Sequence, residues 1–587
     1  MIKNLKNKIY SIIINRKILQ WLPLSWIVIF FVSPIILVTA FSFISIDFQN
    51  GFAINFSFEN IFFLFNKFYL NKATNSILIS FFSAILASIF GFYLAYFSAF
   101  LRSKIRYLIL LLISFTFSLN PIILFQSINF ILSENGLLNN LLLTKLFNNS
   151  VNIPDFCIIL ICYIYKFIPI VYFFSITSLK KTDSSIIESA LDLGASRFFI
   201  FFKIIVKNSK KNIFLSFLIV FFLCLGNISI PISSNYGSNF LAGMVFNEFL
   251  MNFKYSFIAS QLFPFCILII LFSISYNEYF NTHKNFLHFY GNKKFAKYKC
   301  ISIGKEPPAV IINTFLIVFF IFSILILILF SFNENILTEK FNKNINFWNG
   351  FSLNWYYEIF SRKDILIAFK NTFIISAFAS FISTIFGTML ALSSSKFKDL
   401  QNHSFLKFIS LPFIISEVTI GISLALILKF FGFSDNILIP IICLSAFSIF
   451  FSTIIIYTQI QKIDKNVEDS SLDLGANYVQ TFFKVTFPAI IPIISSCFLV
   501  TFAFVLNEFS ITYLTFGKDF PTLSSKLLGL STGNSLIFNA VSTLLILVTI
   551  FSILVGYLFN SYKKSEILIK YFLIIFVLLI AILLLFI

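Results

Sequence analysis

Glu188-Ser-Ala-Leu-Asp192-Leu-Gly194-Ala195 returns 281 residues later as Asp469-Ser-Ser-Leu-Asp473-Leu-Gly475-Ala476. The same offset relates Leu225-Gly-Asn227-Ile-Ser-Ile230 to Leu506-Asn-Glu508-Phe-Ser-Ile511, and upstream Phe90-Gly91 pairs with Phe386-Gly387 at an offset of 296. The difference in offset fits a longer connection in the first copy, around 140–154. The chain therefore reads as two homologous halves running in parallel.

Composition says where those halves live. Of 587 residues, 58% are hydrophobic and only 11% charged, and the mean hydropathy is +0.94. A soluble globular chain carries about 25% charged residues. This one cannot cover a water-facing surface and is too apolar for disorder. It is expected to be an all-α polytopic membrane protein. At about 20 apolar residues per crossing, twelve spans are expected near 20–45, 73–101, 107–132, 156–178, 213–232, 255–275, 310–332, 371–395, 404–431, 437–460, 488–515 and 536–560. A thirteenth apolar run covers 567–587. The N-terminal basic residues precede a run too long for a signal peptide, with no small-residue cleavage site after it, so the first span is read as uncleaved.

The net charge of +19 would suggest nucleic acid in a soluble protein. With the N-terminus placed in the cytoplasm, 29 of the 43 Lys and Arg fall in cytoplasmic segments and 11 in outside loops. The charge is then a topology signal, and nucleic acid is not an expected partner. The domain reading is a cytoplasmic N-terminus (1–19), a first half (20–275), a basic cytoplasmic linker (276–308), a second half (309–560) and an extra C-terminal segment (561–587). Both copies of the motif then fall on the cytoplasmic side, between the fourth and fifth spans of their half.

Glu188 and Asp192 stand four apart and so share a helix face, as do Asp469 and Asp473. Gly194 and Gly475 stand where such a helix would end. The expected unit is a short helix, a sharp turn and a second, amphipathic helix lying along the cytoplasmic face, suited to docking in a partner's groove. The alternative is an ordinary hairpin between spans.

The motif resembles E-A-A-x-D-L-G-A, the coupling motif of bacterial ABC importer permeases. The second half is similar to the C-type permease of spermidine/putrescine importers, in Ser331-Phe-Asn333, Trp348-Asn-Gly-Phe-Ser-Leu-Asn-Trp355-Tyr-Tyr357, Leu411-Pro412 through Glu417-Val-Thr-Ile-Gly421, Phe483-Lys-Val-Thr-Phe-Pro488 and Asn507-Glu508. The first half resembles the B-type partner, in Ser42-Phe43, Glu59-Asn60, Gly91-Phe-Tyr-Leu-Ala-Tyr96, Glu134-Asn-Gly136-Leu-Leu-Asn139 and Leu225 to Pro231.

The likeness runs to about residue 560. It implies two six-helix type I importer halves in tandem, with Glu188, Ala190, Asp192, Gly194, Asp469, Ser471, Asp473 and Gly475 engaging an ATPase homodimer. It also implies a solute-binding protein on the far side of a bacterial inner membrane, and a polyamine as cargo. Fused permeases of this kind also carry ferric iron or thiamine. Three departures stand out. Lys207 and Lys211 occupy the places of Pro488 and Pro492. Ser189, Ser470 and Ser471 replace alanines. Asn227 replaces an acid usual in the B-type.

No G-x-x-x-x-G-K-[ST] loop occurs, so ATP is expected on a partner. No catalytic constellation is evident, the seven Cys form no C-x-x-C pair, and the three His are scattered, so neither a metal site nor a cofactor is expected. Polar groups inside spans are costly and default to functional candidates. Those are Glu417 and Glu508, with Asn227 opposite, as a path for a cation. The competing readings are a packing carboxylate for Glu417 and a structural hydrogen bond closing a gate loop for Glu508. Lys166 receives no role, and Trp348 and Trp355 are expected as anchors at the outer interface. An ion-driven secondary transporter and an inactive scaffold are the readings from other classes.

Overall fold

The computed structural model describes residues 16–47, 53–56, 58–100, 103–133, 153–179, 184–234, 237–251, 321–334, 350–395, 417–430, 437–461, 465–516, 520–532 and 535–561, with 136, 139 and 348 besides. The expected span 255–275, the first parts of 310–332 and of 404–431, the linker 276–308 and the run 567–587 lie outside these.

The first helix comprises α1 (Arg16–Ile27), a π-helical turn Val28–Val32, and α2 (Ser33–Phe41). A hairpin of β1 (Ile44–Asp47) and antiparallel β2 (Ala53–Phe56) follows, with Ile44 opposite Phe56. With an isolated antiparallel bridge between Asn333 and Phe351, it is a small departure from the all-helical expectation. The first half continues with α3 (Lys67–Phe100), α4 (Ser103–Ser118), α5 (Pro121–Leu132), α6 (Asp155–Leu179), α7 (Ser184–Asp192), α8 (Lys207–Leu225), α9 (Ser229–Ser233) and α10 (Leu241–Met251). The second half has α11 (Ile321–Phe330), α12 (Asn354–Ser361), α13 (Lys363–Ser395), α14 (Glu417–Phe430), α15 (Leu438–Ile460), α16 (Lys465–Asp473), α17 (Phe487–Leu506), α18 (Ser510–Phe516), α19 (Leu523–Thr532) and α20 (Ser535–Ser561).

The repeat is visible in the helix bounds. Lys67 opening α3 and Lys363 opening α13 differ by 296; the ends of α7 and α16, and of α8 and α17, differ by 281. The packing repeats too. A Cβ built on Gly91 of α3 would lie 2.7 Å from Cβ of Val171 on α6, and one on Gly387 of α13 would lie 2.5 Å from Cβ of Ser452 on α15. Val171 and Ser452 are themselves 281 apart. Both glycines let two long helices touch backbone to side chain, the small-residue contact that holds helices in lipid, where apolar burial supplies no drive.

Eight helices among the described residues are long and apolar enough to cross a membrane, or nine if one bent pair counts as a span. Three expected spans need correction. The run 107–132 is broken: its two parts, Leu112–Ser118 and Pro121–Leu132, meet at 106°. Asn120 caps the second part, its Oδ1 accepting from the Ile122 amide at 2.9 Å, and Pro121 takes the first helical position, where a missing N–H costs nothing. The expected spans 213–232 and 488–515 stop at Leu225 and Leu506 and resume as the short α9 and α18.

The two halves exchange their first helices. Trp26 of α1 donates through Nε1 to Ser445 Oγ of α15 at 3.3 Å, and Phe31 meets Phe450 with ring centroids 4.9 Å apart. Reciprocally, Phe330 of α11 packs on Phe130 of α5 at 4.7 Å, and Ile324 and Leu327 join the core cluster built on α3 and α6. The first helix of each half therefore belongs, by its contacts, to the other half.

Trp355, expected as an interface anchor, is half-buried and donates Nε1 to the Asn333 carbonyl at 2.9 Å; Trp348 is 49% exposed.

Candidate functional site

Two places carry the sequence's candidates: the repeated loops at the ends of α7 and α16, and the meeting of the halves at α9, α18 and α14.

Each loop is a helix closed by the same device. Gly194 has φ +78° and Gly475 +84°. The Gly194 amide donates to Leu191 O and that of Ala195 to Ala190 O; Gly475 donates to Leu472 O and Ala476 to Ser471 O. This paired pattern is the Schellman motif, which needs a left-handed residue and favours glycine there. Glu188, Asp192, Asp469 and Asp473 are all exposed, while Ala190 and Ser471 are partly buried. Beside the glycines stand two apolar side chains turned outward, Leu193 at 88% and Leu474 at 89% exposure.

The segment after each loop differs from expectation. Instead of a separate helix lying along the face, Arg197–Phe199 runs through a π-helical stretch Ile200–Val206 directly into α8, and Tyr478–Thr481 runs through Phe482–Thr486 into α17. π-Helical insertions relax the regular hydrogen-bond ladder and recur at functional positions. Lys207 and Lys211 sit exposed on the first turns of α8, and that helix forms without the prolines of its counterpart.

The loops are sealed by unlike chemistry. In the second half Thr486 donates to Glu468 Oε1 at 2.8 Å, and the Ser471 and Thr481 hydroxyls lie 2.7 Å apart. The positions 281 earlier are Ile187, Ile205, Ala190 and Ile200; the three isoleucines are buried, and Ala190 packs against the same core.

At the centre the pseudo-symmetry closes on itself. Ser229 and Ser510, equivalent by the repeat, meet Oγ to Oγ at 2.9 Å. Asn227 Oδ1 accepts from the Ile230 amide at 3.2 Å; at the equivalent place Glu508 accepts from Ile511 at 3.0 Å and from Thr512 at 3.3 Å. Both residues thus cap the short helix after a break. Glu417, the first residue of α14, accepts from Ser510 Oγ at 3.0 Å and, at 3.5 Å, from Asn227 Nδ2 of the other half. Tyr163 donates to the Asn227 carbonyl, and Asn120 donates to Asn507 O and Ser524 Oγ across the same boundary.

A cavity of about 40 Å³ lies here, lined by Glu417, Glu508, Lys166 and the rings of Phe117, Phe447, Phe451 and Phe504. That is space for about three water molecules. The structure brings the three candidates Glu417, Glu508 and Asn227 together, and it adds Lys166, Asn120, Ser229 and Ser510. Asn-Pro at 120–121 is a readable break signal. The two serines could have been flagged by projecting the 281-residue offset. Nothing in the sequence aims Lys166 at two carboxylates far from it along the chain. Five Cys among the described residues are free thiols, and no cluster of His, Cys, Asp and Glu suited to a metal occurs among them.

Residues 87–279 match the family described as binding-protein-dependent transport system inner membrane component. The match takes in Lys166, the loop 188–195 and Asn227. The putrescine transport system permease protein PotI of Escherichia coli (strain K12) is 25% identical over 230 residues, 38% of this chain and 79% of that protein. The spermidine/putrescine transport system permease proteins PotB and PotC of Haemophilus influenzae are 27% and 26% identical, over 41% and 37% of this chain and 86% and 85% of their own lengths. Each relative is nearly filled by about two fifths of this chain, which leaves room for two such units in tandem. This polytopic, helical membrane chain thus matches a binding-protein-dependent transport family over part of its length, and in its relatives it resembles putrescine and spermidine/putrescine permease proteins.

Proposed function

We propose that the chain is the transmembrane subunit of an ATP-binding-cassette importer, with two permease halves at about 20–275 and 309–560 working as one unit. The observation that carries this is the repeated loop: one left-handed glycine cap, exposed acids and an outward leucine, built twice at equivalent places. In this reading Glu188, Ala190, Asp192, Gly194 and their counterparts Asp469, Ser471, Asp473, Gly475 receive the motion of a separate ATPase homodimer, which binds the ATP. The chain itself is a transport subunit rather than an enzyme. It sits in a bacterial inner membrane with its N-terminus in the cytoplasm, and a solute-binding protein delivers cargo from the other side.

The cargo is a small organic polycation such as spermidine or putrescine. The permeases similar to this chain bear those names, and the central boundary offers two carboxylates beside six phenyl rings, groups that suit ammonium ions. Transport is by alternating access: the halves part at Ser229–Ser510, and Glu417 and Glu508 meet the cation in turn.

The test is uptake of labelled spermidine by cells lacking their own polyamine importer. They would express this chain with its ATPase and binding protein, with unlabelled putrescine, thiamine and ferric complex as competitors. ATP-dependent uptake blocked only by polyamines is the expected result. Block by thiamine or ferric complex would move the cargo to those classes, and uptake surviving ATP depletion would overturn the ATPase-driven reading.

A further inference from the structure

The central cavity holds a charged group that the transport reading leaves without work. Lys166 stands in the middle of α6 with its side chain buried (8% exposed) and lines the same cavity as Glu417 and Glu508. Its Nζ lies 5.8 Å from the centroid of the Phe167 ring. Among the described residues, no hydrogen bond or direct ion pair fixes the ammonium.

The anions are held differently. Glu508 is fixed on the backbone amides of Ile511 and Thr512, and Glu417 on Ser510 and Asn227. The cavity thus contains two anchored carboxylates and one cation on a flexible stem. A lysine buried at membrane depth is costly, and such residues pair with opposite charge. Two ionised carboxylates lining one small cavity repel each other, and a nearby cation relieves that repulsion. The repeat-equivalent of Lys166 is Phe447, which lines the same cavity. The cation therefore belongs to one half alone and is no by-product of the duplication.

The chemistry of the stem matters. Beyond Cα, lysine is a four-carbon chain ending in a primary ammonium, the same aminobutyl group that terminates a diaminobutane-type polyamine. We propose that Lys166 is a tethered counter-ion of the path: its aminobutyl arm offsets one of the two charges of Glu417 and Glu508 when no cargo is present, and the terminal ammonium of a polyamine displaces it during passage. The inference rests on the polycation reading above and adds a selectivity device to it. A tethered ammonium competes at high effective concentration. A monoamine or inorganic monocation must replace it charge for charge. A polyamine brings a second ammonium and wins.

The experiment compares wild type, Lys166→Met and Lys166→Arg in the assembled importer. With Lys166→Met the apparent KM for spermidine is expected to fall about ten-fold, the factor for losing one competing ionic contact of about 1.4 kcal/mol, and n-butylamine is expected to become an effective competitor. Lys166→Arg should keep the wild-type KM and reject butylamine. An unchanged KM in Lys166→Met, or Lys166→Arg behaving like Lys166→Met, overturns the proposal.

Thermal unfolding of the purified chain reads the pairing with no cargo at all. Lys166→Met should lower the Tm, and adding Glu417→Gln should recover it; absence of recovery overturns the counter-ion. A wild type that takes up no polyamine sinks the cargo reading, while this melting cycle still decides the role of Lys166.

Discussion

Two glycines in this chain are required for different physical reasons, and substitution separates them. At Gly475 a built Cβ meets no atom within 4 Å, and only the φ of +84° constrains the residue. Alanine there should cost the helix end about 1 kcal/mol through backbone strain alone, and asparagine less. Gly475→Ala is expected to leave membrane insertion intact and to lower cargo-stimulated ATP hydrolysis, with Gly475→Asn intermediate. Normal coupled hydrolysis in Gly475→Ala and in its counterpart Gly194→Ala would remove the loops from the coupling pathway. At Gly387 the obstacle is a neighbour, Ser452 Cβ at 2.5 Å. Gly387→Ala should cost about 1–3 kcal/mol of packing and lower the Tm of the extracted chain.

Asp192 and Asp473 are each the last residue of their helix. A carboxylate there opposes the helix dipole by about 0.3–1 kcal/mol, so helix stability does not explain it. Asparagine at both positions should stabilise the helices slightly while weakening coupling. A stability gain with full coupling would leave these acids without a role.

Between elements, the two loops are fastened to α8 and α17 by unlike means. The first is closed by buried Ile187, Ile200 and Ile205; the second by Thr486 donating to Glu468 and by the Ser471–Thr481 hydroxyl pair. Hydrogen bonds to a charged group contribute about 1.5–3 kcal/mol, yet each is lost whole when one partner goes. Thr486→Val should therefore raise amide hydrogen exchange across 465–476 about ten-fold or more, the factor for losing about 1.4 kcal/mol or more, and leave 184–195 unchanged. Equal change in both loops would show that they move as one.

The same scale explains the missed breaks. Hydropathy over 107–132 is continuous, so it reads as one crossing; the kink comes from Asn120, whose side chain caps α5 and reaches Asn507 and Ser524 in the other half. A window average cannot see a cap.

For the whole molecule, the exchange of first helices makes each half incomplete alone. Trp26 and Phe31 are seated on α15, and Phe330 on α5. Two polypeptides cut within 276–308 and co-expressed should therefore find each other in the membrane, co-purify and restore uptake. Halves that purify separately and stay folded would show that these contacts contribute little to assembly.

By itself the sequence determined the membrane class, the duplication and the place of the repeated loop. These follow from composition and periodicity, which are additive along the chain, and from a glycine whose left-handed φ is a local requirement. The offsets of 296 and 281 between the two copies were legible for the same reason, although the helix bounds that follow them were not. Tertiary structure alone decided which half each first helix joins, that two spans stop at Leu225 and Leu506, and that Glu417, Glu508 and Lys166 line one small cavity with Asn227 bonded to Glu417. Those facts depend on side chains up to several hundred residues apart meeting across a pseudo-two-fold boundary. No local signal encodes such a meeting, because the buried charges are matched by partners the fold supplies.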